Sequence, residues 1–249
     1  MKISVVTAVW NRATTLSDAI SSVQRQSYAN VEHIIQDGGS TDGTLDIVSR
    51  MANDQTCLVS EVDDGIYDAI NRGITRTTGD VVGLLHSDDL FAHDHVLTNV
   101  ARAFNDPSVQ AVFGDLDYIA ADDTDRVIRH WRTGEFSRGK LARGWMPPHP
   151  TLYLRRSVFE TYGMYDTSFR IAADYDAILR YFGLGGVTSA YLPEVMIKMR
   201  MGGVSNASFK HILRKSREDL TALRRNQVGG VGALAWKNLS KLGQFIQKG

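Results

Sequence analysis

Cysteine is almost missing from this chain, net charge is missing altogether, and no apolar run is long enough to span a bilayer. One cysteine, Cys57, among 249 residues excludes an intrachain disulfide and suits a reducing compartment. It lies in an apolar stretch with no His or acid beside it, so it is expected as a packed core thiol. Totals of 28 basic and 28 acidic residues give no reason to look for nucleic acid or a strongly acidic partner. No charged-then-apolar leader precedes the first strand, and a cytoplasmic protein is the expectation. G-x-G-x-x-G and G-x-x-x-x-G-K-[ST] are both absent, which disfavours a dinucleotide-binding dehydrogenase and a P-loop NTPase. No internal repeat or low-complexity linker divides the chain. At 43% apolar it can bury a full core, as one domain or one domain with an appendage.

What is present is a rhythm of strands and helices. Strands are expected over Lys2–Val9, Val31–Gln36, Thr56–Val62 and Asp80–Leu85. Between and after them come helical patterns: Leu16, Ala19, Ile20 and Val23 behind a Thr15-x-x-Asp18 capping box; Leu45, Ile47, Val48 and Met51; then Ile66–Ile74 and His93–Phe104. Such alternation implies right-handed crossovers and a mainly parallel sheet covered on both faces, with ligands beyond the carboxyl ends of the strands. After about residue 108 the rhythm changes. Ala111–Tyr118 and Arg126–Trp131 read as paired strands, and Met146–Pro150 as a rigid loop. Helices follow over Ser157–Tyr162 and Asp174–Phe182, with further strands up to residue 201.

Polar clusters close four strands of the first half: Thr7–Asn11, Asp37–Gly43, Asp63–Asp68 and His86–Asp89. Each alone reads as a well-capped turn. Together they fall on one rim. The pair Asp88-Asp89 stands out, because adjacent carboxylates at the end of a buried strand repel each other unless a hard cation sits between them and a substrate's phosphates. In Asp37-Gly38-Gly39 the glycines allow close backbone approach, and Asp37 is expected to be free to accept from a base or ribose. Trp10 and Tyr67 could stack on a ligand, but aromatics beside strand ends are more often core. His86 is expected as a buried strand end.

Four segments carry a resemblance: Ile3–Arg12, Gln36–Thr44, Asp64–Gly73 and Gly79–Asp89, in that order. It continues through Pro148–Thr151 and Ala172–Arg180 to Gly202-Gly-Val-Ser205. The chain resembles the family 2 glycosyltransferases, closest to the subgroup of bacterial exopolysaccharide and colanic-acid-type assembly. The resemblance implies an α/β GT-A fold and an inverting, metal-dependent hexosyltransferase. The implied donor is a nucleoside-diphosphate sugar, UDP- ahead of GDP-, and the implied acceptor a hydroxyl of a glycan or lipid-linked glycan. It implies a nucleotide-sugar site made by Thr7, Val9, Asn11, Arg12, Asp37, Asp64, Gly65, Asp68, Asn71 and Asp88. Asp89 would hold Mn²⁺ or Mg²⁺, and Asp174 would be the general base, preferred to its neighbour Asp176. Ala173 stands where a Glu commonly precedes this Asp. His149 and Arg200 would touch the diphosphate or acceptor.

The implied organisation is a catalytic domain over 1–206, with a donor half (1–107) and an acceptor half (108–206), followed by a basic tail over 207–249. The tail carries a surplus of seven positive charges, balanced by an equal negative surplus in the rest. Phe209, Ile212, Leu213, Leu220 and Leu223 recur at helical spacing, and a second pattern runs from Val231 to Ile246. Such a helix could pack on the domain or on a second subunit of a homodimer, or lie on an anionic inner-membrane leaflet. Two other functions remain open from the residues: a sugar-nucleotide nucleotidyltransferase, and a non-catalytic nucleotide- or glycan-binding protein of this fold.

Overall fold

A computed structural model describes residues 1–201 and 209–235. In its first half three parallel pairings place β1 (Ile3–Val9) between β2 (Val31–Asp37) and β4 (Val81–Leu84), with β3 (Thr56–Ser60) outside β2. The strands are short apolar runs, and β1 and β4 are buried along their whole length, as a sheet covered on both faces requires. The chain winds outward from β1 to β3 and then returns across it to β4. That reversal opens a crevice at the carboxyl ends of β1 and β4, where such sheets bind ligands.

The second half extends the same sheet with mixed polarity. β8 (Tyr153–Arg155) is antiparallel to β4 and to β6 (Ala111–Ile119). β6 pairs in parallel with the long β9 (Ser189–Arg200), which reaches the two-residue β5 (Leu90–Phe91). The hairpin expected around Asp122-Asp123 is present, with β7 (Val127–Trp131) antiparallel to β6. The residues beyond 187, expected as several strands, form the single strand β9.

Helices cover both faces. α1 (Leu16–Gln24) and α4 (Val96–Ala103) turn Leu16, Ile20, Val96 and Val100 onto one face with Val5 and Ile35. α3 (Ile66–Thr75), α6 (Arg156–Tyr162) and α7 (Ala173–Ile178) cover the other with Ile70, Val158 and Ile178. α2 (Thr44–Met51) adds Val48 to the first, and the one-turn α5 (Arg138–Leu141) adds Leu141 to the second. At Gly73 a Cβ would come within 2.4 Å of Val6 Cγ1, so α3 lies against β1 only because that position has no side chain.

Several local expectations are corrected. Thr15 makes no cap bond; its hydroxyl donates instead to the Ser87 carbonyl across the crevice (3.0 Å). β3 stops at Ser60 rather than Val62, and the helix from residue 174 changes to a π-helical stretch at Leu179. Cys57 is exposed, because β3 is the edge of the sheet and bears only partial cover.

The described part of the tail runs to residue 235, and its α8 (Phe209–Arg225) packs on α7 and buries Ala222 and Leu223 completely in the core cluster that holds Phe182 and Tyr175. In the first helical pattern Leu223 takes the reading of packing on the domain, while Leu213 is 47% exposed. The second pattern and the Gly202–Ser205 motif lie largely or wholly outside the described residues.

Candidate active site

The loop after β1 and the loop after β2 are built into each other. Asn11 adopts a left-handed backbone (φ 51°), which Asn tolerates, and its side-chain oxygen accepts from Thr41 N (2.9 Å) while its own N–H donates to Ser40 Oγ (2.8 Å). Arg12 N donates to Thr44 Oγ1 (2.8 Å). Val9 is buried and uses its carbonyl to accept from Gly38 N (2.9 Å). Asn11 and Arg12 remain half-exposed at the crevice mouth, and Trp10 between them and the strand is 63% exposed, not core.

Asp37 is not free. It is fully buried, one oxygen accepts from Gly39 N (2.9 Å), Ser40 N (2.9 Å) and Ser60 Oγ (2.7 Å), and the other accepts from Ser40 Oγ. Its structural work is to shape the Gly38-Gly39 turn. Thr7 does not open to the crevice either: it is buried and bonded to His33 Nε2 (2.9 Å) on the face covered by α1. Sequence alternation hid this, since a strand residue near a rim can point under a helix as easily as into a cleft.

At the start of α3, Asp68 accepts from Asp64 N (3.0 Å) and pairs with Arg72 (2.7 Å), closing the turn that needs Gly65 at φ 118°. Asp64 itself is exposed, and its carbonyl accepts from Arg170 (2.9 Å). Asn71 is turned away from the donor side, exchanging two bonds with the Tyr165 backbone (2.8 and 3.0 Å). The acid that borders the Gly38 turn is Asp63, whose Oδ2 stands 2.4 Å from where a Gly38 Cβ would be.

Beyond β4, Asp88 and Asp89 differ sharply. Asp89 is 1% exposed; Oδ1 accepts from Arg200 N (3.2 Å), whereas Oδ2 is buried with no hydrogen-bond partner. Burial, helped by the adjacent Asp88 charge, pushes its carboxyl well above the usual range. Asp88 is half-buried, and its carbonyl accepts from the Arg200 guanidinium (3.0 Å), which also pairs with Asp18 on α1. An orphaned, desolvated carboxylate oxygen beside a second acid fits a divalent cation. Among the described residues no cluster of three or more metal-binding side chains exists, so such an ion would complete its shell with phosphate oxygens and water.

Across the crevice stands Asp174, half-exposed in the first turn of α7, with Tyr67 Oη 3.2 Å from Oδ1. Asp176 is consumed elsewhere: it is buried, pairs with Arg180 (3.3 Å) and accepts from Asn226 (2.9 Å). His149 is buried and bonded to Tyr165 Oη (2.8 Å), and burial holds its ring near a pKa of about 4, so it is neutral. His86 is half-buried, 6.0 Å from the His149 ring. Burial lowers its pKa against the opposing pull of Asp88 and Asp174, so both acids lie within its electrostatic reach. Asp88 and Asp174 therefore both lie near His86.

The model of Glycosyl transferase family 2 matches residues 4–171, spanning every strand-end loop just described. The chain belongs to that family. This glycosyltransferase is 30% identical over 216 residues to the PGL/p-HBAD biosynthesis glycosyltransferase of Mycobacterium tuberculosis, covering 82% of this chain and 78% of the relative. An uncharacterized glycosyltransferase of Nostoc is 32% identical over 219 residues, covering 83% and 66%. Among solved structures, S. aureus TarS 1-349 in complex with UDP-GlcNAc superposes with a TM-score of 0.70 at 16% identity, over 92% of this chain and 66% of that one. The mannosyltransferase PcManGT of Pyrobaculum calidifontis, in complex with GDP-Man and Mn²⁺, gives 0.68 at 16%, over 100% and 76%. The chain spans 43% of a longer TarS chain. These likenesses confirm the α/β GT-A fold that the resemblance implies. The glycosyltransferase's acid pair and Asp174 occupy the crevice at the carboxyl edge of that sheet.

Proposed function

We propose that this glycosyltransferase moves a sugar, with inversion, from a nucleoside-diphosphate sugar to a hydroxyl of a glycan or lipid-linked glycan in bacterial polysaccharide biosynthesis. A UDP-sugar is placed ahead of a GDP-sugar. The observation that carries the reading is the contrast between Asp89, desolvated with an orphaned oxygen, and Asp174, half-exposed across the same crevice. One acid is suited to a cation, the other to a proton.

Asp174 takes the proton of the acceptor hydroxyl as its oxygen attacks the anomeric carbon. The bond from that carbon to the diphosphate oxygen breaks, and its electron pair leaves with the nucleoside diphosphate. Asp89, with Asp88 beside it, would hold Mn²⁺ or Mg²⁺, which when bound neutralises charge on the departing diphosphate. Neutral His149, held by Tyr165, lines the acceptor side without adding charge. Arg200 fixes the Asp88-Asp89 backbone. Trp10 after β1, Val62 after β3 and Ile66 at the start of α3 are exposed and offer an apolar surface to a base. Asn11 and Arg12 flank it, and Asp63 borders the same turn.

No helix among the described residues is long and apolar enough to cross a membrane. α8 leaves Arg214, Lys215, Arg217 and Arg224 exposed while it buries Ala222 and Leu223, and these exposed basic residues support peripheral contact with an anionic leaflet carrying the acceptor. Replacing those four residues by Gln tests this without removing the core contacts; unchanged binding to phosphatidylglycerol vesicles would refute it.

Thermal-shift screening of UDP- and GDP-sugars with Mn²⁺ tests the donor and metal assignments together, because a ligand that binds only the folded state raises its apparent stability. Stabilisation by at least one donor, lost in Asp89→Ala, is the expected outcome. Equal shifts in wild type and variant would remove the metal from Asp89.

A further inference from the structure

Ala172, at the N-terminal boundary of α7, has no side chain that could cap the helix carrying Asp174. The segment leading into it is instead held from another helix. Glu218 of α8 accepts three consecutive backbone N–H groups ahead of Asp174: Ile171 (2.8 Å) and Ala172 (3.0 Å) on one oxygen, Arg170 (3.3 Å) on the other. The same segment holds the next contact. The Ile171 carbonyl accepts from the Tyr67 hydroxyl (2.7 Å), and that hydroxyl is the group beside Asp174 Oδ1.

A continuous set of bonds thus runs from α8 through the 170–172 backbone to Tyr67 and Asp174. α8 lies beyond the residues matched by the family model, which end at 171. Its docking is secured independently by buried Leu223, by the Asn226–Asp176 bond and by the Arg225–Asp166 ion pair (2.8 Å), none of which touches the 170–172 backbone.

We propose that Glu218 is a positioning residue for glycosyl transfer, fixing the 170–172 segment so that Asp174 and Tyr67 meet the acceptor in register. The proposal rests on the reading of Asp174 as the base. A carboxylate gathering three N–H groups forms charge-assisted bonds, stronger than neutral ones, and restrains three residues at once. Displacing a reacting group by about 1 Å can cost on the order of 100-fold in rate. Gln at 218 keeps one carbonyl oxygen able to accept from Ile171 and Ala172 and gives up the longest contact, to Arg170. It should therefore restore most of the function that Ala removes.

The test combines two readouts on the full-length chain. In hydrogen exchange followed by mass spectrometry, amides of residues 170–174 should exchange faster in Glu218→Ala, but stay protected in Glu218→Gln and in Arg225→Ala, which loosens the same helix elsewhere. In turnover of UDP-GlcNAc or GDP-mannose with Mn²⁺ and water as acceptor, Glu218→Ala should lose roughly 10- to 100-fold in kcat. Donor KM should stay within about twofold, and Glu218→Gln should recover most of the loss. Should Glu218→Ala fail to fold, Glu218→Asp, one methylene short, takes its place with the same expected split. Wild-type kcat in a folded variant with exposed 170–174 amides overturns the proposal, as does an equal loss in Arg225→Ala. Asp174→Asn, run in parallel, separates the two ideas: if it keeps its activity the base assignment falls, whereas a dead Asp174→Asn beside a fully active Glu218→Ala removes only the role of Glu218.

Discussion

The Tyr67 hydroxyl stands 2.7 Å from the Ile171 carbonyl and 3.2 Å from Asp174 Oδ1, so its single proton can go to either acceptor. Donated to Asp174 it orients the carboxylate; donated to Ile171 it leaves the phenol oxygen able to accept from Asp174 once that acid has taken a proton. Asp174→Asn is expected to lower kcat by about 100- to 10,000-fold, the range of a positioned general base, and Tyr67→Phe by about tenfold or less. Both are read from initial rates at saturating donor, with donor affinity retained.

Under the proposed metal role, Asp89 trades stability for binding. Its buried, raised carboxyl destabilises the fold at neutral pH, since a group whose folded pKa lies above its unfolded value loses stability as pH rises past the latter. Asp89→Asn should therefore melt higher than wild type without divalent ions, by a few degrees for a gain of about 1 kcal/mol in a chain of this size. With Mn²⁺ and donor the order should reverse. Differential scanning fluorimetry at pH 7.5, with and without both ligands, reads the two signs directly.

Acid should weaken the protein before its ordinary, exposed carboxylates are titrated. Burial depresses His33 and His149 to about 4 from an ordinary 6.5. The stability each contributes is complete above pH 6.5 and is lost progressively as pH falls to about 4, by up to about 3 kcal/mol per ring. Urea midpoints measured from pH 7 to 4.5 should fall steadily, and His33→Gln should flatten the slope.

Asp176, two residues from Asp174, should behave in the opposite way to it. Its carboxylate is buried against Arg180 and Asn226, so Asp176→Ala takes a charged partner from both while Arg180 keeps the Gly163 and Met164 carbonyls and Asn226 keeps that of Ala222, and it is expected to cost about 1–3 kcal/mol. Turnover by the folded fraction should remain near wild type. Chemical denaturation together with kcat at 20 °C separates the two acids; matching effects in both measurements would show that they act as one unit.

Much of this was legible before any coordinates. Apolar runs of strand length alternating with period-3.6 patterns specified the parallel first half, because local burial and sheet order agree there. The acid pair after a buried strand announced the crevice, and the order of its loops carried the family. Direction of side chains was not legible. Thr7 turns under α1, Asn71 toward Tyr165 and Asp37 into its own loop, since which face a rim residue takes depends on what packs against it. Trp10 is exposed and Cys57 lies on an edge strand because strand order, not local hydrophobicity, decides which strands are covered. The choice of Asp174 over Asp176 rests in the structure on partners 50 residues away in Asn226, and the clamp on the 170–172 segment comes from Glu218. Composition and spacing determined the fold and where its ligand edge lies. Long-range contacts alone decided which acids are left available on that edge, because a carboxylate's role depends on the groups that folding brings to it.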